Sequence, residues 1–259
     1  MVLSLSPKRT GDSVRSVERA FDLLSVLSRA GEPVGLSALA RASCIPKATA
    51  QRLLGVLERL GLVQRERGGY LIGPAILPLA GAFLTADSLA RAALPVLEEL
   101  AHLSGETTSL QVRQGFDRVV IQRVQSPHSL SYTLRVGRRL PLHLGACSQI
   151  LAGAMPEDEL NQLLERVGEI RFAEGVVLTR TEFLERLELA RRQGYAVSFG
   201  EREAGVVSVA APVVRTGRGV IAAVALTGPA NRIPYDRIGP MSLDVRRAAS
   251  EIGLVYSHS

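Results

Sequence analysis

The segment from Leu36 to Tyr70 constrains this chain more than any other, because it packs two helical patterns and a strand pair together with almost no loop between them. From Pro46 to Leu60 the large apolar residues fall at Ala50, Leu53, Leu54, Leu57 and Leu60. Spacings of three and four, at about 100° per residue, gather them into one stripe of a helix. Ala48, Gln51, Arg52, Gly55 and Arg59 lie opposite. Pro46 suits the first helical turn, where a missing N–H costs nothing, and Gly61 ends the helix as glycine commonly does. A shorter helix over Ser37 to Ala42 turns Leu36, Leu39 and Ala40 inward, and Ser43-Cys44-Ile45 makes the turn between the two. Leu62–Arg67 and Tyr70–Gly73 read as strands joined across Gly68-Gly69. Upstream, Val17, Ala20, Phe21, Leu24 and Leu27 stripe a first helix that opens with Arg15, Ser16 and Arg19.

Helix, turn, helix and a basic hairpin together predict a winged helix-turn-helix. The recognition helix of such a motif meets bases near its N-terminus, where arginine can fork onto guanine and glutamine onto adenine. Ala48, Thr49, Gln51 and Arg52 are therefore the candidates to face bases of double-stranded DNA. Arg15, Ser16, Arg19, Lys47 and Arg59 are candidates to hold phosphates, and Arg65 or Arg67 to reach from the wing. The same motif also occurs in proteins that bind no DNA, and an arginine-bearing face can simply be solvated. Charge separates these readings. Residues 1–84 hold 11 Lys+Arg against 6 Asp+Glu, a net of +5, and the rest hold 20 against 19, a net of +1, which together make the chain's +6. The excess lies where a phosphate backbone would run.

At 259 residues the chain has room for two domains. Its two cysteines, Cys44 and Cys147, are too few for a disulfide framework and match no zinc spacing, and its four histidines are scattered, so no metal or cofactor is expected. Walker A, His-Glu-x-x-His and Gly-x-Ser-x-Gly patterns are missing. Pro7, Lys8, Arg9 and Asp12 interrupt any signal pattern. The nearly uncharged run from Tyr70 to Leu84 falls short of the about 20 apolar residues a span needs and contains two prolines and two glycines. The sequence therefore predicts a cytoplasmic protein with no membrane partner.

Residues 74–86, rich in Ala, Gly and Leu, predict a linker helix that pairs either with its twin in a second copy or within its own chain. Helices are expected over Ser88–Leu103, Cys147–Ala154, Glu157–Arg166, Thr181–Gln193 and Asp236–Gly253. Strands are expected over Thr107–Gln114, Arg118–Val124, Leu130–Val136, Tyr195–Phe199, Val206–Val214 and Val220–Thr227. His143 and Cys147, four residues apart, could form an activated nucleophile, but no acid is placed to orient the histidine; a small buried thiol and a loop-anchoring imidazole are the alternative. Gly145-Ala146-Cys147-Ser148 opens a helix whose first N–H groups suit an acidic ligand's carboxylate.

Three segments carry a likeness to a known family: residues 14–20 (VRSVERA), residues 44–54 (CIPKATAQRLL), and the pair 140–143 (LPLH) with 205–213 (GVVSVAAPV). Along nearly its full length the chain resembles IclR-type transcriptional regulators. That resemblance implies an α+β chain: an N-terminal winged helix-turn-helix plus a C-terminal GAF-like α/β effector-binding domain joined by a linker helix. It also implies assembly as a homodimer or homotetramer. The expected boundaries are a disordered 1–12, a DNA-binding domain over 13–74, a linker over 75–87 and an effector domain over 88–259. The effector of such regulators is a small organic acid, an aromatic compound or a related metabolite. Position by position, its contacts fall here on Tyr132, Leu140, Ala146, Cys147, Ser198, Val206, Ser208, Ala225 and Thr227. The chain departs from the family pattern at Ser198, Ser208 and Ala225, and at Ser148-Gln149 where Gly-Lys is common. These departures predict a larger or less polar effector, aromatic ones included. A regulator that is not an enzyme is the expected function; the alternatives are an enzyme using Cys147 and an architectural DNA-binding protein with no effector.

Overall fold

The computed structural model describes residues 14–129, 131–132 and 134–257, with Leu84 described without its side chain. The segment 1–12, expected to be disordered, lies outside them. The chain divides into two compact units, Met1–Ala86 and Asp87–Ser259.

The first unit runs α1 (Arg15–Ala30), α2 (Leu36–Ala42), α3 (Lys47–Arg59), β1 (Val63–Glu66), β2 (Gly69–Ile72) and α4 (Ile76–Ala86). Its core joins Leu23 and Leu27 of α1, Leu39 of α2, Ala50, Leu54 and Leu57 of α3, Val63 and Tyr70. The α1 stripe is rotated from the expected one. Leu23 is fully buried, whereas Val17 and Phe21 are 65% and 61% exposed. Leu60 is also exposed, because it caps α3 instead of continuing it. The turn between α2 and α3 is tight enough to hold Cys44 at φ 53°, a left-handed conformation that costs a side chain about 1–2 kcal/mol. Ser43 Oγ donates to Leu39 O at 2.7 Å and steadies the approach.

The wing has a brace that the strand pattern does not reveal. Val34 bridges to Tyr70 through two backbone hydrogen bonds of 3.0 Å. That approach dictates glycine at 69, where a Cβ would lie 2.3 Å from the Val34 carbonyl. Among its described side chains α4 buries none and leaves Leu77, Leu79 and Phe83 exposed.

The second unit runs α5 (Ser88–Ser104), β3 (Thr107–Gln114), β4 (Asp117–Val124), β5 (Arg139–Pro141), α6 (Ala146–Gly153), α7 (Glu157–Val167), β6 (Ile170–Arg171), β7 (Val177–Leu178), α8 (Arg180–Gln193), β8 (Ala196–Phe199), β9 (Val206–Arg215), β10 (Gly219–Pro229) and α9 (Tyr235–Ser257). One sheet has the order β5-β4-β3-β10-β9-β8. Each of its pairings is antiparallel, in a unit that mixes helices with this sheet. Side chains alternate between faces. Val207, Val209, Ala211 and Val213 of β9 pack with α5 and α9. Ala210, with Ala223 and Ala225 of β10, packs with α6, α7 and α8 on the other face.

Among the described residues of Leu130–Val136 the expected strand is not formed. Leu130 and Thr133 lie outside the described residues, and 131–132 and 134–136 are irregular. Pairing with β4 begins only after Gly137, which takes φ 82° and donates its N–H to Val120 O at 2.7 Å. β5 then aligns Leu140 with Arg118. Among the described residues no single helix is long and apolar enough to cross a membrane.

Candidate functional site

In the first unit the candidate DNA-contacting residues share one quality, exposure. Arg15, Ser16, Lys47, Ala48, Gln51, Arg52, Arg59, Arg65 and Arg67 are exposed, and Arg19 and Thr49 are half-buried. Pro46 is the N-cap of α3, not a residue of its first turn. Proline has no capping side chain, so the N–H groups of Lys47, Ala48 and Thr49 remain without a cap and point out of the helix end. A helix start with open N–H groups and a lysine at its first position is built to receive a phosphate. Gln51 and Arg65 line a surface groove of about 310 Å³ between α3 and the wing, together with Gly35, Gly68 and Tyr70. The Arg65 guanidinium stands 5.7 Å from the Tyr70 ring centre, a stacking that orients it along the wing.

In the second unit, Tyr132, Leu140, Ala146, Cys147, Ser198, Val206, Ser208 and Thr227 line one cavity of about 40 Å³. That is room for about three waters. Ala225 does not line it. The residue is buried in the apolar cluster with Cys147 and Ile150 of α6, which cover it. Thr227 escapes that cover two residues along β10, where its Oγ1 lies 2.9 Å from Ser208 Oγ.

Gln111, Arg118, Leu134, Gly145, Glu201, Arg202 and Glu203 complete the lining, and of these only Gly145, at the helix start, was expected from the sequence. Arg118 is 5% exposed. Its Nε donates to Ser148 Oγ at 2.8 Å, its Nη1 to Gln111 Oε1, and its Nη2 to Leu144 O at 2.9 Å. Burial pulls its pKa down to about 10. Glu201 is 3% exposed, and its Oε2 accepts the Gly145 N–H at 2.7 Å. Its Oε1 accepts from Gln149 Nε2 at 3.1 Å and from Arg186 Nη2 at 2.5 Å. Arg202 lies 5.5 Å from the Tyr132 ring centre and pairs with Glu203 at 2.9 Å. A carboxylate of the chain itself therefore occupies part of the α6 N-terminus that had been expected to be open.

Residues 16–67 match the IclR helix-turn-helix domain, and residues 81–254 match the bacterial transcriptional regulator IclR C-terminal domain. The chain belongs to the IclR family. It is 28% identical over 247 residues to the transcriptional repressor IclR of Escherichia coli strain K12, covering 94% of this chain and 90% of that protein. Its fold is similar to that of an IclR-type regulator from Alicyclobacillus acidocaldarius, with a TM-score of 0.84 at 23% identity over 95% of this chain and all (100%) of the other. It is similar also to an IclR homologue from Microbacterium hydrocarbonoxydans solved with 4-hydroxybenzoate, with a TM-score of 0.78 at 23% identity over 94% of this chain and 100% of that one. The chain is thus an IclR-type transcriptional regulator with a DNA-binding helix-turn-helix.

Within this IclR family member, the Cys147 thiol is pushed up to about 11 by burial, the direction opposite to nucleophile activation. Burial also holds the His143 imidazole below its ordinary value, with Asp117 opposing the shift. Among the described residues no group of three or more His, Cys, Asp or Glu could hold a metal ion. The departures at Ser198, Ser208, Ala225 and Ser148-Gln149 predicted a larger or less polar effector; the cavity also takes charged groups from other positions, Arg118 from β4 and Glu201 to Glu203 from the turn after β8. Arg118 had a legible signal: it shares the inward parity of Val120 on β4. Glu201 had none, since it stands in an irregular turn.

Proposed function

We propose that this regulator reads a specific operator with Ala48, Thr49, Gln51 and Arg52. Arg15, Ser16, Arg19, Lys47 and Arg59 hold phosphates, and Arg65 and Arg67 act from the wing. The carrying observation is the exposed start of α3, uncapped and flanked by a groove that Gln51 and Arg65 share. A small organic acid in the cavity of the second unit controls operator binding by favouring one of two states, with Tyr132, Leu140, Ala146, Cys147, Ser198, Val206, Ser208 and Thr227 around it. The aromatic acid held by the Microbacterium homologue supports that ligand class. The raised thiol of Cys147 speaks against an enzyme built on this cavity.

The protein works in the cytoplasm as a homodimer or homotetramer. Exposed Leu77, Leu79 and Phe83 on α4 favour pairing of linker helices over packing within the chain. Domain limits of 13–74, 75–87 and 88–259 accord with this division of labour. Selection of duplexes from a random pool by the full chain tests the reading. Two related half-sites, spaced about one helical turn or a multiple apart, are expected. Recovery of no preferred sequence would overturn it.

A further inference from the structure

The proposed effector cavity holds a buried cation, Arg118. Among the described residues no carboxylate forms an ion pair with Arg118, although its side chain is buried in the cavity wall. Its three hydrogen-bond partners, Ser148 Oγ, Gln111 Oε1 and Leu144 O, are neutral acceptors. They hold the guanidinium in place without cancelling its charge. An arginine has five N–H donors, so two remain, enough for one carboxylate.

The other charges around the cavity already cancel. Glu201 is matched by Arg186 and Glu203 by Arg202. Three cations against two anions leave a net charge of +1, and that charge sits on Arg118. Burying an unpaired charge is costly unless an opposite charge is brought to it. The backbone has been shaped around this group. Gly145 takes φ 99°, and a Cβ there would lie 2.9 Å from Arg118 Nη2. Leu134, Leu140 and Val206 supply an apolar wall, while Ser198, Ser208 and Thr227 supply hydroxyls.

We infer that Arg118 is the anion-anchoring residue of the cavity, the group that receives the carboxylate of the acid effector proposed above. The apolar wall takes its carbon skeleton, and the hydroxyl cluster takes an oxo or hydroxyl substituent. Because Glu201 already fills part of the α6 N-terminus, Arg118 rather than that helix end supplies the main attraction. A dianion would overcompensate the single positive charge, and a neutral analogue would leave it unmet. This inference rests on the effector reading proposed above.

The test uses the full chain, with thermal midpoint and affinity for the selected duplex as readouts. The probes are pyruvate, lactate and 4-hydroxybenzoate, their neutral amides, and the dianions succinate and phosphate. At least one monocarboxylate is expected to raise the midpoint and change duplex affinity, while its amide and the dianions do neither. Arg118→Gln should weaken that acid by about thirtyfold or more, the range for removing one partner of a buried charge pair. Arg118→Lys should retain part of the binding. Equal response to an acid and its amide in the parent chain overturns the role of Arg118 and leaves the effector reading standing, whether or not the variants fold. An acid that binds Arg118→Gln as tightly as the parent does the same. No response to any probe overturns both.

Discussion

The two units of this regulator carry their candidate chemistry in opposite places. In the first, the eleven groups proposed to meet DNA surround a small core of leucines, and nine of them are exposed. In the second, charged groups that are rarely buried, Arg118 and Glu201, are held inside the fold by hydrogen bonds that also shape the wall. An outward site can change sequence preference while leaving the fold intact. An inward site shares its atoms with the fold, so selectivity and stability change together.

Stability measurements sharpen this contrast. The largest effect is expected for Glu106→Ala. Glu106 is 1% exposed and takes two bonds from Arg232, at 2.6 Å from Nε and 2.7 Å from Nη2, tying the start of β3 to the segment after β10. Its loss should cost about 3–5 kcal/mol, the range for breaking a buried pair, with faster amide exchange along β3 and β10. A cost below about 1 kcal/mol, typical of surface pairs, would show that the inward charges of this unit are not structural. Leu54→Ala, at a fully buried position of α3, should cost about 3 kcal/mol in denaturant unfolding. Arg59→Ala on the exposed face of the same helix should stay within about 0.5 kcal/mol. Similar costs for the two would erase the inside–outside distinction in the first unit. Cys44→Gly should act in the opposite direction and raise stability by about 1 kcal/mol by relieving the left-handed turn; a loss would mean that the Cys44 side chain contributes packing that its exposure conceals.

The same contrast explains what the sequence made legible. The wing, α2, α3 and the outward arginines follow from helical spacing and glycine placement, because an exposed face is defined by what the core stripe leaves over. The stripe on α1 was misplaced since Val14, Val17 and Phe21 are apolar yet exposed, and periodicity cannot distinguish a core-facing residue from one left at the surface. In the second unit the strands β3, β9 and β10 were readable from alternation, whereas β5 was hidden in three residues and displaced by a neighbouring apolar run. The cavity's residues were reached through family likeness, and its charges were missed. Burial of a charge depends on partners that are distant in sequence. Glu201 meets Gly145 across 56 positions, and Arg118 meets Ser148 across 30.

The most direct measurement compares Arg52→Ala and Arg15→Ala on the selected duplex and on a scrambled one over a range of salt concentrations. Arg52→Ala should lose about 1–3 kcal/mol on the selected duplex alone. Arg15→Ala should weaken both duplexes alike and lower the salt slope by about 1. An equal loss on both duplexes for Arg52→Ala would contradict the assignment of base reading to the outward face of α3.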